Sequence, residues 1–167
     1  RRPDGRVGVR NHVVVFNTVA ELGPLVRRIA EAVPGAVPVV HQHGYAQFPE
    51  DREQTHRTLA GNAANPNVAS ALFIGLGDER DFSHEVAAQV RAMGRSAEAL
   101  TIREAGGVGR LLAKATEHLR ARLDEAARIT REPASTSDLV VGLECGGSDG
   151  WSGVTANPAL GVASDLV

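Results

Sequence analysis

Residues 144–153 read ECGGSDGWSG and hold the single Cys and the single Trp of the chain, beside two acids, two serines and four glycines. A thiol, carboxylates and hydroxyls in one short stretch are the groups that ligate metals and move protons. Glycine loses more backbone freedom on folding than any other residue, so this density points to a tight path around a ligand. Related groups recur along the chain. HQHG at 41–44, GLGDE ending at Asp78 and Glu79, and Glu104 followed by Gly106 and Gly107 each come just after an apolar run, as do Asn17 and Thr18.

Every one of these also has a plainer explanation. Loops are polar, so hydrophilic residues after a strand need no site. His41 and His43 flanking a turn suit hydrogen bonding, Asp78 and Glu79 suit the positive end of a following helix, and Cys145 suits a small buried apolar residue. Gly106 and Gly107 before an apolar helix resemble an anion cradle, a weak signal without further pattern. Loop solvation leaves the choice of types unexplained, because Ser, Lys or Asn would serve equally well where His, carboxylate and thiol stand.

The elements that must position these groups alternate in period. Short β-rich runs at 13–16, 37–40, 71–76, 97–102 and 139–143 predict strands, and 71–76 is apolar enough to be buried on both faces of a parallel sheet. Between them lie helical patterns. One starts at Gly23 with Leu25, Val26, Ile29, Ala30 and Val33 on one face; others cover 50–64, 83–93 capped by Ser83, and a long one from about Gly107 carrying Leu111, Leu112, Ala115, Leu119 and Leu123. A last helix is expected from about Pro158. The alternation predicts one α/β domain over 1–167, an open, mostly parallel Rossmann-like sheet of about five strands with helices on both faces. In such a sheet ligands bind beyond the carboxyl ends of the strands, where all of the candidate groups fall.

Bulk properties narrow the partners. With 18 basic against 20 acidic side chains the formal charge is −2 and there is no basic stripe, so nucleic acid is not expected. One cysteine forms no internal disulfide, which fits a reducing, cytoplasmic setting. The apolar runs are far shorter than the ~20 residues that span a bilayer, so no membrane partner is expected. The chain opens at Arg1 without a Met and stops at Val167 within a predicted helix, and is expected to be a piece of a longer chain.

RRPDGRVGVRN (1–11), GNAANPNVASALFIGLGDE (61–79) and above all GLECGGSDGWSGVTANPALGVASDLV (142–167) resemble the sugar-acid dehydratases typified by altronate and galactarate dehydratase. The resemblance runs along nearly the whole chain. It implies removal of water from an aldonic or aldaric acid to give a 2-keto-3-deoxy acid, with a divalent metal, Fe2+ or Mn2+; the family is also similar to a sulfolactate-cleaving lyase. A proton beside a carboxylate is only weakly acidic, so this chemistry needs a base, an acid for the departing hydroxyl and a cation for the developing enediolate.

Carried onto matching positions, the resemblance implies metal ligands at His41, Asp78, Glu79 and Cys145, and acid–base groups among His41, Glu79 and Asp149. It implies substrate contacts at Arg6 and Arg10, as bidentate carboxylate clamps, and at Asn11, Ser148, Ser152 and Asn157. Three positions depart from the family pattern: Glu21, Tyr45 and Asp78 stand where it usually shows Cys. Glu144 for Gln and Asn65 for His depart as well. Loss of soft thiolates and gain of carboxylates favours a harder ion, Mn2+ or Mg2+. The same losses also fit a non-catalytic relative with a structural or assembly role. The expected partners are a small sugar acid and either a second copy or further domains of the same chain.

Overall fold

Four of the apolar runs become strands: β1 (His12–Asn17), β2 (Ala36–Val39), β3 (Val68–Gly75) and β4 (Ala97–Thr101). They form one parallel sheet in the order β2-β1-β3-β4. This computed structural model describes residues 1–78 and 81–167, in two compact units, Arg1–Ser135 and Thr136–Val167. All four strands belong to the first.

Sequence explains the order of burial. Central β1 and β3 read HVVVFN and VASALFIG and are buried almost throughout, as a parallel strand covered on both faces must be. Outer β2 reads AVPV, and Pro38, which has no N–H to give, is tolerated at an edge. Successive side chains alternate between faces. Val13, Val15, Leu72 and Ile74 meet α1 (Gly23–Glu31) through Val26 and Ile29, and α5 (Val108–Ala127) through Leu111, Ala115 and Leu119. Val14, Phe16, Ala71 and Phe73 meet α2 (Pro49–Ala63) through Leu59 and Ala63, and α3 (Ser83–Ala92) through Val86 and Val90. The Phe16 and Phe73 rings stack at 5.0 Å between centroids. A single turn, α4 (Ile102–Ala105), joins β4 to α5. The expected open α/β sheet with helices on both faces is therefore present.

Two expectations need correction. The fifth strand, at 139–143, does not form: residues 139–148 take no regular structure, Val140 is 93% exposed, and no strand occurs among the described residues of the second unit. An apolar run becomes a strand only when a neighbour supplies the other half of the hydrogen-bond ladder, and this unit holds no strand to do so. Its regular elements are a 3-10 turn at Thr136–Asp138 and α6 (Ala156–Asp165). Second, Ser83 does not cap α3. Its own N–H donates to Asp81 Oδ1 at 2.8 Å, so Asp81 serves the helix start. No helix among the described residues is long and apolar enough to cross a membrane.

Candidate functional site

The chain leaves β1 toward β2 on one side and returns to β3 on the other, so the order reverses between β1 and β3. That switch point opens a crevice at the carboxyl ends of the two strands, and polar groups organise it. Asn17, fully buried at the end of β1, donates through Nδ2 to the carbonyls of Val19 (2.9 Å) and His41 (3.0 Å) and accepts from the His41 amide (3.1 Å). It pins the loop after β2 to the end of β1. Thr18, next along, donates to the Ile74 carbonyl at 3.1 Å. Asp81 accepts from Gly77 N at 2.6 Å as well as from Ser83, tying the loop after β3 to α3. Gly75 has no room for a side chain, since a Cβ there would lie 2.1 Å from Asp81 Oδ2.

His41 is half-buried on this loop. Burial pushes its pKa below the usual histidine value, against the opposing pull of the Asn17 and Thr18 backbone. Its Nδ1 accepts the His43 amide at 3.1 Å, which leaves the proton of the neutral ring on Nε2. Tyr45 donates its hydroxyl to Asp78 Oδ2 at 2.5 Å, joining the loops after β2 and β3. Glu21 comes close to the same place: a Cβ on Gly44 would stand 3.8 Å from Glu21 Oε1, and the Ala20 amide donates to the His43 carbonyl. The three positions where the resemblance expects thiols, Glu21, Tyr45 and Asp78, therefore fall on adjoining loops, filled by two carboxylates and a phenol.

Two cavities open beside these loops and share Gly44, Ala46, Gln47 and Phe48 in their walls. The smaller, about 530 Å³, is lined among others by Val19, Tyr45, Arg52 and Phe82; the larger, about 860 Å³, by His41, His43, Asp51, Gln54 and Thr58. One strand further along, Thr101 donates to Glu104 Oε2 at 2.8 Å and His84 Nε2 lies 3.0 Å from the same oxygen. The Thr101 hydroxyl and then His84 hold the Glu104 carboxyl below its ordinary range.

Other expected site residues lie elsewhere. Arg6, Arg10 and Asn11 precede β1, at the amino end of the sheet and opposite the crevice. There Arg6 pairs with Asp4 at 2.7 Å and donates to the Ala64 carbonyl, Arg10 donates to Val9, and Asn11 accepts from Arg2. Arg6 thereby serves a carbonyl at the end of α2, a setting favourable to cations. Glu79 lies outside the described residues.

In the second unit, Asp149 Oδ1 accepts the amides of Trp151 and Ser152, both at 2.8 Å, and the Ser152 hydroxyl donates to the Asp149 carbonyl. The Asn157 amide donates to Ser152 O at 2.9 Å. Cys145 is exposed, with Sγ 3.9 Å from Ser148 Oγ. The tight glycine path expected for 144–153 is not required by its backbone: none of its glycines takes a positive φ, and a Cβ at Gly147, Gly150 or Gly153 meets open space.

Of the expected metal ligands, Glu79 lies outside the described residues and Cys145 belongs to the second unit, which leaves His41 and Asp78 to be compared within the first. Within either unit, no group of three or more His, Cys, Asp or Glu side chains among the described residues could hold an ion. The one in-plane lone pair of neutral His41 already receives the His43 amide, and Asp78 Oδ2 is engaged by Tyr45. The chemistry below is therefore built on this chain's own groups.

The sequence reading passed over Arg52 and Asp81. Each had a signal: Arg52 is a cation close behind the first turn of α2, where acids are preferred, and Asp81 stands two residues before the helix start in DFSHE.

Fold and crevice together define an open parallel α/β unit that presents cavities of mixed polar and apolar lining at the carboxyl end of its strands. Residues 1–127 match the family model of the D-galactarate dehydratase/altronate hydrolase second domain, and residues 136–167 match the D-galactarate/altronate dehydratase C-terminal model. The chain belongs to the D-galactarate dehydratase/altronate hydrolase family. It is 36% identical to the (2R)-sulfolactate sulfo-lyase subunit beta of Chromohalobacter salexigens over 99% of this chain, and 35% identical to the altronate dehydratase of Escherichia coli over 100% of it. It is 38% identical to the galactarate dehydratase (L-threo-forming) of Escherichia coli over 66% of its length. The chain spans 42%, 35% and 23% of these relatives.

Proposed function

We propose that this chain is the sheet-bearing part of a dehydratase that removes water from a hydroxylated sugar acid to give a 2-keto-3-deoxy acid, and that the acid binds at the carboxyl end of the sheet. The observation that carries this reading is the crevice between β1 and β3, opening beside two cavities of mixed polar and apolar lining in a chain of this family. Dehydration needs a group to take the proton next to the carboxylate and a group to protonate the leaving hydroxyl. His84 suits the first role chemically, since Glu104 holds its Nε2 and no partner of the other ring nitrogen occurs among the described residues, although the side chain is not on the wall of either cavity. Tyr45, which lines the smaller cavity, suits the second. Further domains or a partner subunit complete the enzyme in this reading, since the chain spans less than half of each relative.

The test is an assay of the full-length protein on altronate, galactarate and other aldonates and aldarates. Fe2+, Mn2+ and Mg2+ are each supplied, because the resemblance implies a divalent ion. Appearance of a 2-keto-3-deoxy acid is expected. No keto product with any metal overturns the reading in favour of a non-catalytic role. Sulfite release from sulfolactate moves the activity to C–S cleavage, the alternative with which the 36% identity to the sulfo-lyase subunit is consistent.

A further inference from the structure

The geometry points to Arg52 as the anchor for the carboxylate of the ligand in the smaller cavity, an assignment that rests on the sugar-acid reading. Arginines suit this task through a planar fork that meets a carboxylate in two parallel hydrogen bonds. The two expected to do it, Arg6 and Arg10, are at the other end of the sheet. Arg52 is at the right end. It is the one charged side chain among the described residues that line the cavity of about 530 Å³, whose wall also carries Tyr45 and Gln47.

Its pairing is loose. The guanidinium carbon lies 5.3 Å from the centre of the Phe82 ring, within cation–π range. Among the described residues its ion-pair partner is Glu85 on α3, at 3.7 Å and beyond hydrogen-bonding distance, with both side chains substantially exposed. Arg52 Nε has no acceptor, and no side-chain hydrogen bond from Arg52 occurs among the described residues. The Gln47 amide on the same wall offers a donor and an acceptor to ligand hydroxyls. The Arg52 side chain is 41% exposed, and a loosely paired cation on a wall that also carries a phenol and an amide describes a ligand bearing both an anion and hydroxyls.

The test is calorimetric titration of the full-length protein with galactarate, altronate and galactitol, an uncharged polyol. Wild type is compared with Arg52→Gln and Arg52→Lys. Arg52→Gln is expected to weaken binding of the acids about 10- to 100-fold, the scale of a lost charge-assisted pair, and to leave galactitol unchanged. Arg52→Lys, which keeps the charge and loses the fork, is expected to fall between, and a cooperative melt of each variant shows that the loss is not unfolding. Equal weakening of acid and polyol, unchanged acid binding in Arg52→Gln, or no acid binding by wild type overturns the assignment. Acid binding lost in Arg52→Gln without turnover in wild type leaves the anchor standing and sinks the dehydratase reading. Turnover with an unchanged KM in Arg52→Gln does the reverse.

Discussion

The Tyr45 hydroxyl donates to Asp78 Oδ2 across 2.5 Å and so fastens the loop after β2 to the loop after β3, over the point where the strand order reverses. A phenol and a carboxylate hold two loops with one charge-assisted hydrogen bond. Tyr45→Phe keeps the ring and removes the hydroxyl, and with it the bond to Asp78. It is expected to lower stability by about 1 kcal/mol in urea unfolding and to speed amide exchange in residues 41–48, while leaving the core of the sheet protected. An unchanged exchange rate in those residues would show that the loops are held by other contacts.

Gly75 is a second constraint on the same end. A methyl group there would overlap Asp81 Oδ2 at 2.1 Å, and Asp81 is fixed by the amides of Gly77 and Ser83. Gly75→Ala must therefore displace a short, doubly bonded side chain, and a cost of about 2 kcal/mol is expected in denaturant titration. Gly61→Ala, at a helical position with nothing within 4 Å of the added Cβ, serves as the control and is expected to be neutral or slightly stabilising.

Much of this was legible beforehand. Period and composition pointed to β1, β3 and the long helix α5, because VVVF and ALFIG are short β-rich apolar runs and Leu111, Ala115 and Leu119 recur at helical spacing. The run at 139–143 misled for the same reason: an apolar stretch records the need for a partner and does not say whether the neighbouring chain supplies one. Arg6 and Arg10 misled differently. A motif shows which residues belong together without showing at which end of the sheet they lie, and the parallel arrangement puts everything just before β1 far from the strand exits. Arg52 was visible only as a cation close to a helix start, a signal too weak to read before the cavity was seen.

The placement of Arg6 makes a separate prediction. It donates to the Ala64 carbonyl at 2.8 Å and pairs with Asp4, so its work is to secure the end of α2. Arg6→Gln is expected to reduce stability by about 0.5–1.5 kcal/mol and to leave galactarate affinity unaltered in the full-length protein. A tenfold loss of affinity with normal stability would return Arg6 to the substrate.

Leu119 lies at the centre of one sheet face, fully buried between α5 and the strands. Leu119→Ala opens a cavity where the apolar cluster cannot easily collapse, and a loss of about 2–5 kcal/mol is expected. Leu123 on the same helix only borders that cluster, so Leu123→Ala is expected to cost clearly less, and equal losses would mean that the helix does not pack through Leu119.

Acid sensitivity follows from three histidines. His41, His56 and His118 all have pKa values below the ordinary histidine value, and in each the largest cause is burial, which disfavours the charged ring. For His118 the neighbouring Arg122 adds to the lowering while Glu98 and Glu125 oppose it. In the unfolded chain each ring takes a proton near pH 6.5, whereas in the folded chain it does so only at lower pH. Between those values the unfolded state binds more protons, so stability is full above about pH 6.5 and falls as the pH drops through the window beneath it. Glu104 adds a second, more acidic step of the same sign: its carboxyl is lowered by Thr101 and His84, so its contribution fades only as the pH falls below the ordinary carboxylate range near 4.3. Urea midpoints measured at pH 7.5, 6.0 and 5.0 are therefore expected to decline steadily, with a shallower decline in His118→Gln, which has no ring to charge. Parallel declines in the two proteins would mean that His118 is as free to protonate in the fold as in the unfolded chain.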